Sequence, residues 1–328
     1  MQRRSEFFAT CPPGLGRLLR DQLAGVGGVE VIAAGSDGGS DVVLFEADRA
    51  GRVRAAAHRL ADGVFATAAR ARRDGTADPA VLAARCWPRD GAQRALSLWA
   101  EQVQPLSSAL SYRIAVRART GPASLRSGLR PALAEAIRRD RPRWRPSGQG
   151  VLEILLSEWR AGELVSGLRL GGNRGDPAAP VPPAVAAAMV TLAGPPVGVL
   201  LDPSCGDGAI LTEAVAAGWA AEGTDRDPAV AGRARSPGAA VRAGEAAEIL
   251  EPDGALGACV TRLPAGTGPA DLTAALAEMS RVTRTGGAVV LLAADVPRTA
   301  WPPALRLRKQ VPVQLAAGRE TIWVYRRA

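Results

Sequence analysis

The spacing of apolar positions changes character along the chain. In PGLGRLLRDQLAGVGGVEVI, Leu15, Leu18, Leu19 and Leu23 recur at helical intervals, Gly27 and Gly28 interrupt them, and a β-branched run from Val29 to Ile32 follows. That order predicts helix, turn and strand. A second apolar run, VVLFEAD over 42–48, precedes the helix-like AGRVRAAAHRLAD, so residues 1–70 are expected to form a small α+β unit. Helical patterns follow at 79–86 and 91–103. From Ser111 the period shifts to two: Tyr112, Ile114, Val116 and Ala118 alternate with Arg113, Arg117 and Arg119, giving a strand with one core face and one cationic face. Next, Leu125, Leu129, Leu133 and Ile137 recur every fourth residue, with Arg126, Arg130 and Arg138 beside the stripe. Pro131 belongs in the first turn of that helix or at a kink. The runs VLEILLSEW and ELVSGLRL, parted by Arg160-Ala161-Gly162, predict a hairpin. Residues 71–170 thus read as a helical lead-in and a β-α-β-β module.

The Gly/Pro-rich GGNRGDPAAPVPPAV is the expected linker, placing a boundary near residue 171. Beyond it, strands and helices alternate: VGVLLD, AILTEAVAAG, AAEGTD, PAVAGRAR, ACVTRLP, DLTAALAEMSRVTR and AVVLLAAD, then a closing pair, LRLRKQVPVQL and ETIWVYRR. This rhythm predicts a doubly wound, mainly parallel α/β sheet over 171–328.

Composition narrows the function. No run of about 18 uncharged apolar residues occurs, and the start MQRRSEFFATCPPG lacks the apolar core of a secretory signal, so a soluble cytoplasmic protein is expected, with no membrane partner. Cys11, Cys86, Cys205 and Cys259 form no CxxC pair and His58 is the only histidine, so no metal site is expected and a Ser-His-Asp triad lacks its base. Of 41 basic residues, 40 are arginine. Residues 1–170 carry 26 basic and 17 acidic side chains, net +9, whereas 171–328 carry 15 of each. Over 113–145, ten arginines face only Glu135 and Asp140. That is the footprint of a polyanion-binding surface.

The sharpest local signal is VGVLLDPSCGDGAILTEAV. A buried strand ends in Asp202, a turn with Gly206 and Gly208 follows, and a helix starts near Ala209; glycines there let backbone approach a ligand, and a helix N-terminus adds oriented N–H groups. Asp225 closes the next strand in EGTDRD, where a carboxylate accepts ribose hydroxyls. Glu245, in VRAGEAAEIL, lies where a third loop reaches an adenine. Any doubly wound domain has a glycine turn after its first strand, but the spacing from Asp202 to Asp225 and the later loop acid favour a nucleoside ligand. No G-K-[ST] follows the turn, so a Walker loop is disfavoured.

These residues resemble a family. DPSCGDGAILTEA is similar to the DPxCGxGxxxxEA signature of class I S-adenosylmethionine-dependent methyltransferases acting on RNA. EFFATCPPGLGRLLRDQL resembles the start of THUMP-domain RNA guanine-N2 methyltransferases, the β-α-β-β module resembles THUMP itself, and PVPPAVAAAMVTLAG resembles their linker. The resemblance implies three parts: a ferredoxin-like α+β unit over 1–70, a THUMP-like RNA-binding module over 71–170, and a Rossmann-like methyltransferase domain over 171–328. It implies S-adenosylmethionine as cofactor, with Asp202, Pro203, Cys205, Gly206, Asp207 and Gly208 at its methionine side. Asp225 and Arg226 fall at the ribose, and Glu245 and Ala246 at the adenine. It further implies docking on the acceptor end of tRNA, the phosphates being met by Arg113, Arg117, Arg119, Arg126, Arg130, Arg138 and Arg139 without reading sequence. Trp144, within RPRWRP, either stacks on a base or caps the module's core.

One loop departs from the family. Its fourth strand ends in Asn/Asp-Pro/Leu-Pro-aromatic-Gly, whose first side chain and neighbouring carbonyl orient the exocyclic amine while the ring stacks on the flipped base. Here the same place reads Arg262, Leu263, Pro264, Ala265 and Gly266. A guanidinium has donors only and stays charged. Between PAVAGRAR and VRAGEA the chain is also short, which predicts a pruned second helix and a loosened adenine side. Three functions follow as expectations. The first is a tRNA guanine-N2 methyltransferase, whose catalysis rests on positioning and backbone carbonyls. The second is an inactive RNA-binding or accessory protein, in which Arg262 is a phosphate contact or a surface charge. The third is a methyltransferase for a small molecule or protein, which leaves the basic half unexplained.

Overall fold

A computed structural model describes residues 4–234, 237–264 and 266–328. The chain divides into two compact units, Met1–Arg174 and Gly175–Ala328.

The first unit contains β1 (Ser5–Cys11), α1 (Gly16–Ala24), β2 (Val29–Ser36), β3 (Asp41–Ala47), α2 (Arg49–Ala56) and β4 (Gly63–Arg72). It continues with α3 (Pro79–Cys86), α4 (Arg89–Gln102), β5 (Ser111–Arg117), α5 (Ala123–Asp140), β6 (Arg145–Pro146), β7 (Leu152–Arg160) and β8 (Glu163–Gly171). All eight strands form one sheet, ordered β2-β3-β1-β4-β8-β7-β5-β6. β4 is antiparallel to both β1 and β8. The division expected at residue 70 therefore falls inside a central strand, and the two expected modules share a sheet. Periodicity did not mark β4, because GVFATAARAR is rich in alanine, a poor strand former. Its place in the middle of the sheet, with Val64, Phe65 and Ala66 at most 2% exposed, makes it a strand.

The sheet rolls until β2 meets β7. Arg160 donates to the Ala34 carbonyl at 3.0 Å, and a Cβ on Gly35 would lie 2.2 Å from the Trp159 carbonyl oxygen, so only glycine permits the approach. Phe8, Val42, Leu44, Phe65, Leu155, Trp159 and Val165 fill the inside of the roll. Helix α3 packs against α5 and on β4 and β8, α4 lies on β4 and β8, and α5 lies on β5. In α5 the stripe Leu125, Leu129, Leu133 and Ile137 is buried as its spacing predicts, but Pro131 lies in the helix interior rather than its first turn. Trp144 is 5% exposed and tilted against Tyr112 at 6.4 Å, so it caps the core of the module.

The second unit contains α6 (Pro183–Ala193), β9 (Val199–Asp202), α7 (Ala209–Ala216), β10 (Ala220–Asp225), α8 (Pro228–Ala231) and β11 (Ala239–Ala243). Then follow β12 (Leu256–Arg262), α9 (Pro269–Val282), β13 (Thr283–Ala293), β14 (Leu305–Leu315) and β15 (Gly318–Arg327). The sheet order is β11-β10-β9-β12-β13-β15-β14. The first five strands are parallel and the last two are added antiparallel. Leu276, Met279 and Val282 of α9 pack on Leu201, Cys259, Val289 and Leu291. Helix α6 is apolar nearly all round and buried along most of its length against α7 and the sheet. This is the doubly wound α/β architecture the alternation predicts.

Candidate functional site

In open α/β sheets a crevice forms beyond the carboxyl ends of the strands where their order reverses. Here that point lies between β9 and β12, whose last residues are Asp202 and Arg262.

Asp202 is 1% exposed. Its Oδ1 accepts the Thr261 hydroxyl at 2.6 Å and the backbone N–H of Ser204 at 3.2 Å. Burial pushes its carboxyl up to about 7 against the lowering effect of those two bonds, and the nearby Asp225 and Asp207 push the same way. The turn after it carries Gly206 at φ 54° and Gly208 at φ 88°, in the left-handed region that suits glycine. The Gly206 N–H donates to Asp225 Oδ2 at 3.1 Å, and the Cys205 N–H to the Thr224 carbonyl at 2.9 Å. The loop thus lies down on the end of β10. It does so over Gly223, where a Cβ would come within 3.0 Å of Cys205 Cβ. The Cys205 thiol is buried and pushed up to about 12, first by desolvation and then by Asp202 and Asp225, so it is a neutral filler and no nucleophile.

Two clefts open on this loop. One, of about 290 Å³, is lined by Asp202, Cys205, Gly206, Asp207, Asp225, Arg262 and Pro264, with Pro180 and Val181 from the linker. The other, of about 270 Å³, is lined by Pro203, Arg226, Glu245, Ala246, Leu263, Pro264, Gly266, Thr267 and Asp271. Ser204 and Pro264 line both. All the residues expected at the cofactor except Gly208 line one cleft or the other; Gly208 shapes the turn.

Helix α8 is only four residues long, as the shortened sequence predicts, and the chain beyond β11 is held by hydrogen bonds from α9. Arg281 on α9 donates to the carbonyls of Ile249 at 2.7 Å and Glu251 at 3.0 Å and to Asp253 at 2.7 Å. Glu278 accepts the Ile249 N–H at 2.9 Å. The segment following Glu245 and Ala246 is thereby tied to a long helix.

Arg262 is neither a surface charge nor an open phosphate contact. Its Nε and Nη2 donate to the two carboxylate oxygens of Glu320 on β15, at 3.2 and 2.7 Å. The side chains are 18% and 14% exposed. The hydrogen bond to Glu320 raises the guanidinium's affinity for its proton further. A fork of this kind is among the stronger polar pairings. Ala265 lies outside the described residues.

In the first unit several of the arginines expected on RNA have partners already. Arg113 pairs with Glu153 at 2.5 Å. Arg117 hydrogen-bonds Ser40, and Arg119 donates to the Asp37 carbonyl at 2.9 Å, which closes the β2–β3 loop onto β5. Arg126 donates to the carbonyls of Arg119 and Gly121 at 3.2 and 3.3 Å. Arg138 and Arg139 share Glu135 at 2.8 and 2.9 Å, and their hydrogen bonds hold that carboxyl down at about 2. All of them except the partly buried Arg117 are exposed, Arg130 beside Pro131 on α5. The sequence reading did not find Thr261, Ser204, Glu320, Thr267 or Asp271. Glu320 lies 58 residues from Arg262, and no local pattern joins them.

Among the described residues no helix is long and apolar enough to cross a membrane. The four cysteines are free and buried, and no group of three or more His, Cys, Asp or Glu among the described residues is placed to hold a metal ion.

Residues 173–248 match the model of a family described as "RMKL-like, methyltransferase domain". A search of curated proteins finds no match. Among solved structures, TrmN from Thermus thermophilus aligns with 99% of this chain and 100% of its own, at a TM-score of 0.73 and 21% identity, a likeness of fold. The geranyl diphosphate C-methyltransferase of Streptomyces coelicolor, solved with S-adenosyl-L-homocysteine, aligns with 44% of this chain and 77% of its own at a TM-score of 0.38 and 15% identity. The match to a methyltransferase-domain model thus falls on the segment that holds Asp202, Gly206, Asp225 and Glu245.

Proposed function

We propose that the protein is an S-adenosylmethionine-dependent RNA methyltransferase with tRNA as substrate and the exocyclic N2 of guanine as methyl acceptor. The observation that carries this reading is the convergence of Asp202, Gly206, Asp225 and Glu245 on adjoining clefts at the strand-order reversal. The residues fit the cofactor's chemistry. Asp225, already fixed by the Gly206 and Asp227 N–H groups, stands at the place for a ribose diol, Glu245 at the place for adenine, and Asp202 near the ammonium and sulfonium end. The cofactor supplies an electrophilic methyl group; the chain positions the acceptor in line with it and excludes water. Leu263 and Pro264 line the clefts; the Pro264 carbonyl already accepts the Thr267 N–H at 3.2 Å and its hydroxyl at 2.8 Å, so the Leu263 carbonyl stands in for the missing side-chain acceptor of the amine. The basic first unit, resembling a THUMP module and the unit before it, would dock the RNA through α5 and the edge at β5. Transfer of a labelled methyl group to unfractionated tRNA, followed by nucleoside analysis, tests the reading: N2-methylguanosine is expected, and incorporation into no RNA overturns it.

One observation favours a second reading, an inactive RNA-binding protein. The position that would orient the amine carries Arg262, and its guanidinium is engaged by Glu320. Cofactor binding without transfer would select it.

A further inference from the structure

The two bonds to Asp202 both fall on one oxygen. Thr261 Oγ1 and the Ser204 N–H meet Oδ1, and Asp202 lines the 290 Å³ cleft. Thr261 is itself fully buried, at 0% exposure, and sits on β12 immediately before Arg262. A carboxyl gripped by one oxygen from the neighbouring strand has its rotamer set and its other oxygen available. We propose that Thr261 is a positioning residue that holds Asp202 so that its Oδ2 meets a cationic group in the cleft, the ammonium of the cofactor's methionine half. This rests on the reading of the cleft as an S-adenosylmethionine site.

The surroundings support a cation rather than an anion there. The charged side chains lining the cleft are Asp202, Asp207, Asp225 and Arg262, and Arg262 is already paired with Glu320. Asp225 and Asp207 both disfavour ionisation of Asp202, whereas Thr261 and the Ser204 N–H favour it. An arriving ammonium adds to the second group. The Thr261 hydroxyl therefore lowers the cost of ionising Asp202 and aims the charge.

Binding titrations with the full chain test this. The ligands are S-adenosylmethionine and 5′-methylthioadenosine, which lacks the amino-acid end and so cannot meet Asp202 through an ammonium. Thr261→Val keeps the shape of the side chain and removes its donor. It is expected to weaken S-adenosylmethionine about tenfold, the scale of one hydrogen bond to a charged group, while leaving 5′-methylthioadenosine unchanged. Thr261→Ser is expected to restore binding. In the wild type, affinity for S-adenosylmethionine should fall as pH drops through about 7, where Asp202 takes up its proton. Without the Thr261 donor that fall should move to higher pH, and in Asp202→Asn it should vanish. Equal weakening of both ligands in Thr261→Val, an unshifted pH dependence, or a pH dependence that survives Asp202→Asn would each overturn the inference and leave the cofactor reading standing. If the wild type binds neither ligand, the cofactor reading fails and this inference with it.

Discussion

The two units each bury a carboxylate at a strand end, and they treat it in opposite ways. In the first, Glu158 is 5% exposed. It accepts the backbone N–H groups of Arg119, Thr120 and Gly162 at 2.7, 2.8 and 2.7 Å, as well as the Thr120 hydroxyl. Burial raises its pKa, but these four bonds together hold it below its ordinary value. In the second, Asp202 has one hydroxyl and one N–H, both on one oxygen, and burial wins. A carboxylate whose lone pairs are filled by backbone is part of the fold; one left half-filled in a cleft is the one for which a ligand is proposed.

The comparison is broken most directly at Glu158. Glu158→Met, similar in size but without an acceptor, would orphan three part-buried N–H groups. A loss of about 3–5 kcal/mol in urea unfolding of the first unit is expected, since each unpaired buried donor costs roughly 1–3 kcal/mol; a loss below about 1 kcal/mol would place Glu158 among the dispensable carboxylates. At Asp202 the sign reverses. Its folded pKa lies above its unfolded value, so the folded state holds a proton that the unfolded state has released, and stability falls as pH rises from about 4 to about 7. The span corresponds to roughly 3–4 kcal/mol at 1.36 kcal/mol per unit. Asp202→Asn should remove most of that slope and leave the protein more stable than wild type at pH 8, as measured by unfolding across the range.

A smaller effect is expected at the pair that replaces the amine acceptor. Arg262→Gln or Glu320→Gln alone leaves one half-buried charge unpaired, for a loss of about 1–3 kcal/mol once solvent access is allowed for. The double variant should recover part of it, and a double-mutant cycle with no coupling would show that the two side chains do not act together. If Arg262 contacted phosphate instead, Arg262→Gln would lower the salt dependence of RNA binding. The smallest effect belongs to Arg130, exposed on α5. Arg130→Ala should leave stability unchanged and reduce the slope of log affinity against log salt by about one, the signature of a single lost phosphate contact. An unchanged slope would remove it from the RNA surface.

The loops proposed to hold the cofactor were legible in the chain as a local pattern. Asp202, Gly206 and Gly208 belong to one strand-turn-helix, and Asp225 follows within one βαβ unit, so their spacing reflects a single supersecondary geometry. The helix stripe of α5 and the hairpin at Gly162 were legible for the same reason. The partners were not. Thr261 meets Asp202 across 59 residues, Glu320 meets Arg262 across 58, and Arg117 meets Ser40 across 77. Arg117 and Arg119, which read as part of a cationic face, also hold the β2–β3 loop, because a charge count does not show where an acceptor will be brought.

The sequence by itself determined the periods of its helices and strands, the glycines at positive φ, the segregation of positive charge into the first half and the order of the loops proposed for the cofactor. These are properties of short segments, set by backbone sterics and by which residues prefer water. Tertiary structure decided that alanine-rich β4 is a central strand, that residues 4–174 share one rolled sheet, and that Arg262 is paired. It also decided that both hydrogen bonds to Asp202 fall on one of its oxygens. Each of these depends on which strands become neighbours, and burial and hydrogen bonding across strands act only once the chain has brought distant residues together.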